Sequence, residues 1–369
     1  MTDARPILFV TNLVAPDRVG AFAELHARVP IELALFGGRS HHATAAVDDP
    51  PVPHRHVTQN EIFALAGSGD FRAVVAGTAG RTALPAAFLG AARARTPFVL
   101  WSALWAHARS PAHIAARPLM SAIYRRAAHV VTYGEHVSAF ARAQGARRTT
   151  IAPQAVDNAF WSAPPGPGTA PPRQLSGGTP SFAVMFAGRP ARAKGLWELL
   201  DAWRASGLDT APAALLLAGV PPEQIPGGVG GAVHALGHLD ALSLRNFLHH
   251  SSVLVVPSVP TRTFREPWGL IANEAMNQRL PIIATDAVGA AAGGLVRHER
   301  NGLVVPHSDP AALAAALVRL HEDPALCSAL GAHAARDVAP YTHAAWADAF
   351  AGVLTSPSGT RTPPTEVLA

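Results

Sequence analysis

The sequence predicts two α/β domains, each a doubly wound parallel sheet, facing one another across a cleft. Three observations predict it. Short apolar runs of β-type residues alternate with Ala-rich helical stretches along the chain, the pattern of strands covered on both faces by crossover helices. A Pro/Gly/Ser stretch at 162–180, reading SAPPGPGTAPPRQLSGGTP, interrupts that alternation, which then restarts. The chain's 369 residues also suit two cores of about 150 residues better than one.

In the first half, strands are expected at 7–12, 31–36, 73–77, 98–101, 129–133 and 150–153, with helices at 20–28, 85–95, 118–127 and 135–144. In the second half, strands are expected at 182–186, 214–218, 253–256, 282–285 and 303–305, with helices at 195–206, 242–249, 270–278, 310–322 and 324–335. The divisions are therefore 1–161 (first domain), 162–180 (linker), 181–340 (second domain), 341–355 (a helix able to return to the first domain) and 356–369 (a polar tail expected to be disordered). In such sheets ligands bind beyond the C-terminal ends of the strands.

About half the residues are apolar and 15% are charged, the composition of a well-buried globular protein. The net charge of +5 is compatible with nucleic acid, anionic lipid or a phosphorylated substrate. The arginines look scattered, their longest clusters being pairs such as Arg125-Arg126 and Arg147-Arg148, with no aromatic-interleaved basic stripe. Nucleic acid is therefore not an expected partner, and membrane attraction is expected to be weak and peripheral at most. The single cysteine, Cys327, lies in an expected helix and should be an inert, half-buried thiol. The opening MTDARPILFV does not read as a signal peptide, and no apolar run reaches the ~18–20 residues of a spanning helix, so a cytoplasmic location is expected.

The chemistry concentrates in the second half. A strand runs into Gly188, with Arg189 and Lys194 flanking the entry to the next helix. Two cations at a helix N-terminus oppose its dipole, and an anion between them would offset that cost. Farther on, Arg265-Glu266-Pro267-Trp268-Gly269-Leu270-Ile271-Ala272-Asn273-Glu274 places two carboxylates eight positions apart around a glycine that opens a helix. The orphan N–H groups of a helix start make an anion site, and a carboxylate on either side suits an elongated ligand with hydroxyls at both ends and phosphates between. Along a helix, eight residues would span about 12 Å. A solvated loop acid and a surface helix acid are the alternative, disfavoured by the apolar neighbours of Glu274.

The set Gly-Arg…Lys-Gly, then Pro-Ser…Glu-Pro-Trp-Gly-Leu…Asn-Glu-Ala-Met, resembles the retaining GT-B glycosyltransferases of the family 4 type (glycosyl transferases group 1). Leu280-Pro281-Ile282-Ile283-Ala284-Thr285-Asp286 and Asn301-Gly302-Leu303-Val304-Val305-Pro306 continue the likeness. The resemblance implies a nucleoside-diphosphate-sugar as co-substrate, with Arg189, Lys194 and the backbone N–H groups of Gly269 and Leu270 on the diphosphate. It implies Glu266 on the transferred sugar, Glu274 on the ribose, Trp268 beside the sugar, and the base on the loops after Gly219 and around Gly237. His107, just past a strand end, matches a family histidine near the donor sugar. Catalytic roles fall to Glu266, Arg189, Lys194 and His107; Gly188, Trp268, Gly269, Leu270 and Glu274 complete the donor site. Asp-x-Asp is absent from the sequence, so no divalent metal or other cofactor is expected.

The resemblance also departs from the family. Asn12-Leu13-Val14-Ala15-Pro16-Asp17-Arg18-Val19-Gly20 stands where many relatives have a Gly-Gly loop. The acceptor, expected at the loops 37–60 and 102–118, is a natural product, another small molecule or a glycan, with a lipid-linked polysaccharide precursor close behind. A nucleotide-sugar epimerase and a non-catalytic nucleotide-sugar-binding protein are the rival readings.

Overall fold

The computed structural model describes residues 4–37, 47, 49–80, 82–166, 181–225 and 232–355. The linker residues 167–180, the tail 356–369 and part of the 37–60 loop lie outside the described residues.

Two all-parallel sheets form the framework. The first has seven strands: β1 (Ile7–Thr11), β2 (Ile31–Leu35), β3 (His54–His56), β4 (Ala73–Gly77), β5 (Phe98–Ser102), β6 (His129–Thr132) and β7 (Thr149–Ile151), in the order β3-β2-β1-β4-β5-β6-β7. The second has six: β8 (Phe182–Ala187), β9 (Ala213–Ala218), β10 (Val233–Gly237), β11 (Val253–Val256), β12 (Ile282–Thr285) and β13 (Gly302–Val305), in the order β10-β9-β8-β11-β12-β13. Every strand pair in both sheets is parallel. These are the two doubly wound parallel-sheet domains that the apolar strand runs predict, and the GT-B architecture that the resemblance implies.

Chain direction explains which helices cover which face. From β4 to β7 each step moves the same way across the sheet, so right-handed crossovers put the helices Ala83–Arg93, Pro111–Arg126 and Glu135–Ala143 on one face. The step from β1 to β2 runs the other way and puts Pro16–Arg28 on the opposite face. The C-terminal helix His343–Thr355 joins it there: Trp346 and Phe350 are fully buried among Phe9, Phe22 and Trp101. The chain crosses to the second domain earlier than position 161, because Val156 and Trp161 are buried in that domain's core and the short helix Asn158–Ser162 packs on Ile271–Asn277.

Several elements start elsewhere than the pattern predicts. The first helix begins at Pro16 rather than 20, since proline at the first helical position needs no N–H partner. The helix expected at 118–127 is Pro111–Arg126. Ser110 caps it by accepting from the His113 N–H, and Pro118, which reads as a helix start, lies inside it. Cys327 is buried in Pro324–Val338, with its thiol on the Ser252 carbonyl, and burial pushes its pKa up to about 11. Among the described residues, no helix is long and apolar enough to cross a membrane.

Candidate active site

The site is built where loops at the C-terminal ends of strands from both sheets meet. From β8 the chain passes Gly188 into a single 3-10 turn, Arg192–Lys194, which ends at Gly195 with φ +69° before the helix Leu196–Ser206. That glycine is obligatory, because a Cβ there would sit 1.8 Å from the Pro257 carbonyl oxygen at the end of β11. The close approach brings Lys194 against the loop after β11. Its Nζ lies 2.5 Å from Glu266 Oε2, and Ser258 Oγ donates to the same oxygen at 3.3 Å. Glu266 is buried and Lys194 half-buried, so the pair is shielded from water. Arg189 is exposed, and its guanidinium has no partner among the described residues.

The two glutamates are not related by a helix. Glu266 is in extended backbone bridged to Val288, Gly269 turns the chain at φ +93°, and the helix runs only over Ile271–Asn277. The 12 Å helical spacing therefore does not describe them. Glu274 is half-buried on that short helix, without a hydrogen-bond partner among the described residues. Burial, with Asp17 of the other domain adding its charge, pushes the Glu274 carboxyl up to about 8. The N–H groups of Gly269 and Leu270 donate to no protein acceptor among the described residues.

Trp268 is buried: its indole donates to Asn273 Oδ1 at 2.8 Å, stacks on His136 and packs against Tyr341. An apolar ring beneath a tight backbone turn gains more from the core than from a wet cleft. Gly289 and Gly293 let the chain close over it, since a Cβ on either would strike Pro267 or the Trp268 ring.

His107 lies elsewhere. It is exposed, its ring packs on Phe140, its Nε2 lies 3.2 Å from Gln144 Nε2, and its contacts are within its own domain. Two other residues of the first domain reach the donor loop. Trp105 donates from Nε1 to the Glu266 carbonyl at 3.1 Å, and His136 Nε2 meets the Pro267 carbonyl at 3.1 Å. Burial lowers the His136 pKa, leaving a neutral ring that donates to Pro267 while its buried Nδ1 has no partner. The Arg265 guanidinium stacks over Trp105 at 3.7 Å, and Arg109 N–H donates to the Arg262 carbonyl at 2.6 Å. A second chain of bonds is buried deeper: Arg18 donates to Gln154, whose carbonyl accepts from Asn273, the partner of Trp268. Arg265, Trp268 and Asn273 lie in the motif read from the sequence and Arg18 in the departing 12–20 loop, whereas Trp105 and Arg109 carried no signal and His136 only its place two positions past a glycine at a strand end. The loops after β9 and β10 are stitched together, Gly219 N–H donating to Gly237 O at 2.6 Å and Gly237 N–H to Val220 O at 3.0 Å.

The fold is that of the GT-B proteins, two parallel-sheet α/β domains with the candidate site between them. Residues 181–323 match the family Glycosyl transferases group 1. Two D-inositol 3-phosphate glycosyltransferases are similar in sequence. The one from Streptomyces bingchenggensis is 35% identical over 115 residues, 30% of this chain and 24% of the relative; the one from Streptomyces avermitilis is 36% identical over 116, 31% and 23%. The match thus spans about a quarter of the length of these curated relatives. Among solved structures, Anabaena HepE in complex with UDP and glucose has a TM-score of 0.74 at 18% identity, covering 95% of this chain and 99% of that one. A glycosyltransferase from Rickettsia africae follows at 0.72 and 13%, covering 95% and 97%. Sucrose-phosphate synthase from Thermosynechococcus elongatus has 0.66 and 19%, covering 95% and 98%. These likenesses show the fold.

Proposed function

We propose that this chain is a retaining, metal-independent glycosyltransferase that moves a sugar from a nucleoside-diphosphate-sugar to a natural-product or glycan acceptor. The single observation that carries the reading is the Lys194–Glu266 pair, held 2.5 Å apart inside the segment that matches the glycosyltransferase family. A buried carboxylate paired with a half-buried lysine, on the same βα turn as the exposed Arg189, suits a ligand that carries both hydroxyls and phosphates. On donor binding, Lys194 and Arg189 turn to the diphosphate, and Glu266 accepts hydrogen bonds from the sugar hydroxyls. The Gly269 and Leu270 N–H groups add donors for phosphate, and Glu274 takes the ribose. The structural neighbours solved with UDP, with UDP and glucose, and with UDP-glucose support a nucleotide-sugar in this position.

In this reading no protein carboxylate attacks the sugar. The bond from anomeric carbon to phosphate oxygen breaks, with Arg189 and Lys194 stabilising the charge on the leaving diphosphate. The acceptor oxygen bonds to the same face of that carbon, and its proton passes to the departing phosphate oxygen. Bound between the domains, the site keeps water from competing with the acceptor.

A thermal-shift panel of UDP-, GDP- and dTDP-sugars identifies the donor, since the preferred one raises the melting temperature by mass action. Donor hydrolysis and transfer are then measured for the wild type and Glu266→Ala, with turnover expected to fall at least about 100-fold in the variant. A wild type that binds a donor yet turns over with no acceptor or water would make the chain a binding protein and sink the enzyme reading.

A further inference from the structure

We infer, resting on the donor site proposed above, that Arg18 is a positioning residue for the donor turn. It does not touch the ligand. It fixes Trp268-Gly269-Leu270 from the other domain, through a buried relay of hydrogen bonds. Arg18 lies in the 12–20 stretch that departs from the family, and the proposed donor site makes no use of that stretch.

Arg18 is badly placed if stability were its only task. It stands in the first turn of the helix Pro16–Arg28, where a cation opposes the helix dipole, and only 9% of it is exposed. Asp17 Oδ2 lies 3.4 Å from its Nε, and its guanidinium carbon is 5.7 Å from the centroid of the Trp101 ring. Nη1 is buried with no hydrogen-bond partner among the described residues. A guanidinium buried with one arm unpaired costs folding free energy, and apolar side chains commonly replace such buried charges without loss. What distinguishes an arginine here is the bond made by Nη2.

Nη2 donates to Gln154 Oε1. Gln154 is 1% exposed, in the segment that leaves β7 for the second domain, and Val156 two positions on is already in that domain's core. The Gln154 backbone carbonyl accepts from Asn273 Nδ2 at 2.9 Å, and Asn273 Oδ1 accepts from the Trp268 indole at 2.8 Å. Those two partners fix which way the Asn273 amide faces. Trp268 stands next to Gly269, whose N–H, like that of Leu270, donates to no protein acceptor among the described residues. The Trp268 carbonyl accepts from the Ala290 N–H at 2.8 Å, so the residue before the open N–H groups is held by its ring and by its backbone. All four side chains are at least nine-tenths buried, so water does not replace a bond that parts.

A rival route runs through charge. Asp17 pairs with Arg18 and acts on Glu274 across the cleft, so losing the arginine would alter the cleft even without a relay. The two routes predict different couplings.

The test is a set of double-mutant cycles on the intact chain. It is read by calorimetric binding of UDP, GDP or dTDP, whichever the wild type binds, and by hydrogen exchange of residues 266–277 without ligand. Arg18→Met keeps an unbranched side chain over Trp101 and removes Nη2. It should weaken nucleotide binding about fivefold and speed exchange across 266–277 at least about threefold. Gln154→Leu should do the same, and combining the two should add little to either. In the background Trp268→Phe with Asn273→Leu, which removes the far end of the relay, Arg18→Met should change neither readout. Melting temperatures confirm that each variant is folded, and if that background does not fold, the cycle with Gln154→Leu decides. An effect of Arg18→Met that persists in full in either background would mean that charge at Asp17 acts alone, and would overturn the relay. A lower melting temperature with binding and exchange unchanged would overturn it too, leaving Arg18 a merely structural residue. A wild type that binds no nucleoside diphosphate sinks the donor reading instead, and the exchange measurement then still decides whether Arg18 orders the turn.

Discussion

Glu274→Gln tests the electrostatics of the donor cleft most directly. Burial, reinforced by Asp17 across the cleft, raises this carboxyl from an ordinary 4.5 to about 8 in the folded chain. Between those values the folded protein holds a proton that the unfolded chain has released, so stability falls as pH rises, at up to about 1.4 kcal/mol per pH unit. Across the whole window this bounds the cost at about 5 kcal/mol; water reaching a half-buried cleft side chain should reduce it to about 1–2 kcal/mol. Glutamine keeps the shape and removes the ionisation. The expected result is that Glu274→Gln matches wild type near pH 5 and becomes progressively more stable through pH 8, with the difference levelling off above that. Urea unfolding of both proteins at four or five pH values measures it, and groups common to both cancel in the difference. Asp17→Asn should recover part of the same gain. A stability difference that does not change with pH, or one that favours wild type at pH 9, would refute the reasoning.

Two further perturbations address how the site is held. Gly195→Ala forces a side chain into φ +69° and against the Pro257 carbonyl, so Lys194 should lose its place beside Glu266. The expected outcome is at least about 2 kcal/mol of lost stability and no donor-induced thermal shift; a variant with a wild-type melting curve and donor response counts against the assembly. Trp105→Phe keeps the ring under Arg265 but removes the hydrogen bond to the Glu266 carbonyl. It should lower kcat about fivefold to tenfold with little change in donor KM or melting temperature, and an unchanged kcat would show that Glu266 is positioned without it.

Much of the architecture was legible because parallel strands buried on both faces leave unmistakable apolar runs, as at Leu215-Leu216-Leu217 and Val253-Leu254-Val255-Val256. Two of the edge strands, β3 and β10, were not. β3 is three polar residues, His54-Arg55-His56, whose backbone pairing with β2 is its main tie to the sheet, and β10 is half-buried throughout. Pro118 read as a helix start because proline favours that position, but Ser110 and Pro111 had already supplied a better one. The turns and charges of the candidate site were legible for a different reason. Gly195, which must admit the Pro257 carbonyl, Gly269, which turns the chain at positive φ, and charges that face a turn are fixed by local sequence. What faces them from the other domain is fixed by tertiary approach alone, which is why His107 was visible while Trp105 and His136, the residues in contact, were not.

Those contacts suggest how the two domains could act as one device. The loop bearing Glu266 meets the first domain through the backbone carbonyls of Arg262, Glu266 and Pro267 and through the Arg265 and Trp268 side chains on Trp105 and His136, while the Glu266 carboxylate faces Lys194 and Ser258 of its own domain. Chemistry at the carboxylate and registration between domains are therefore carried by different atoms of the same few residues. Beneath them, the buried chain from Arg18 through Gln154 and Asn273 to Trp268 is costly to break, because each parted member would leave a polar group unpaired in the core. An opening motion is cheapest where the contacts are three hydrogen bonds and two ring contacts, and dearest at this relay.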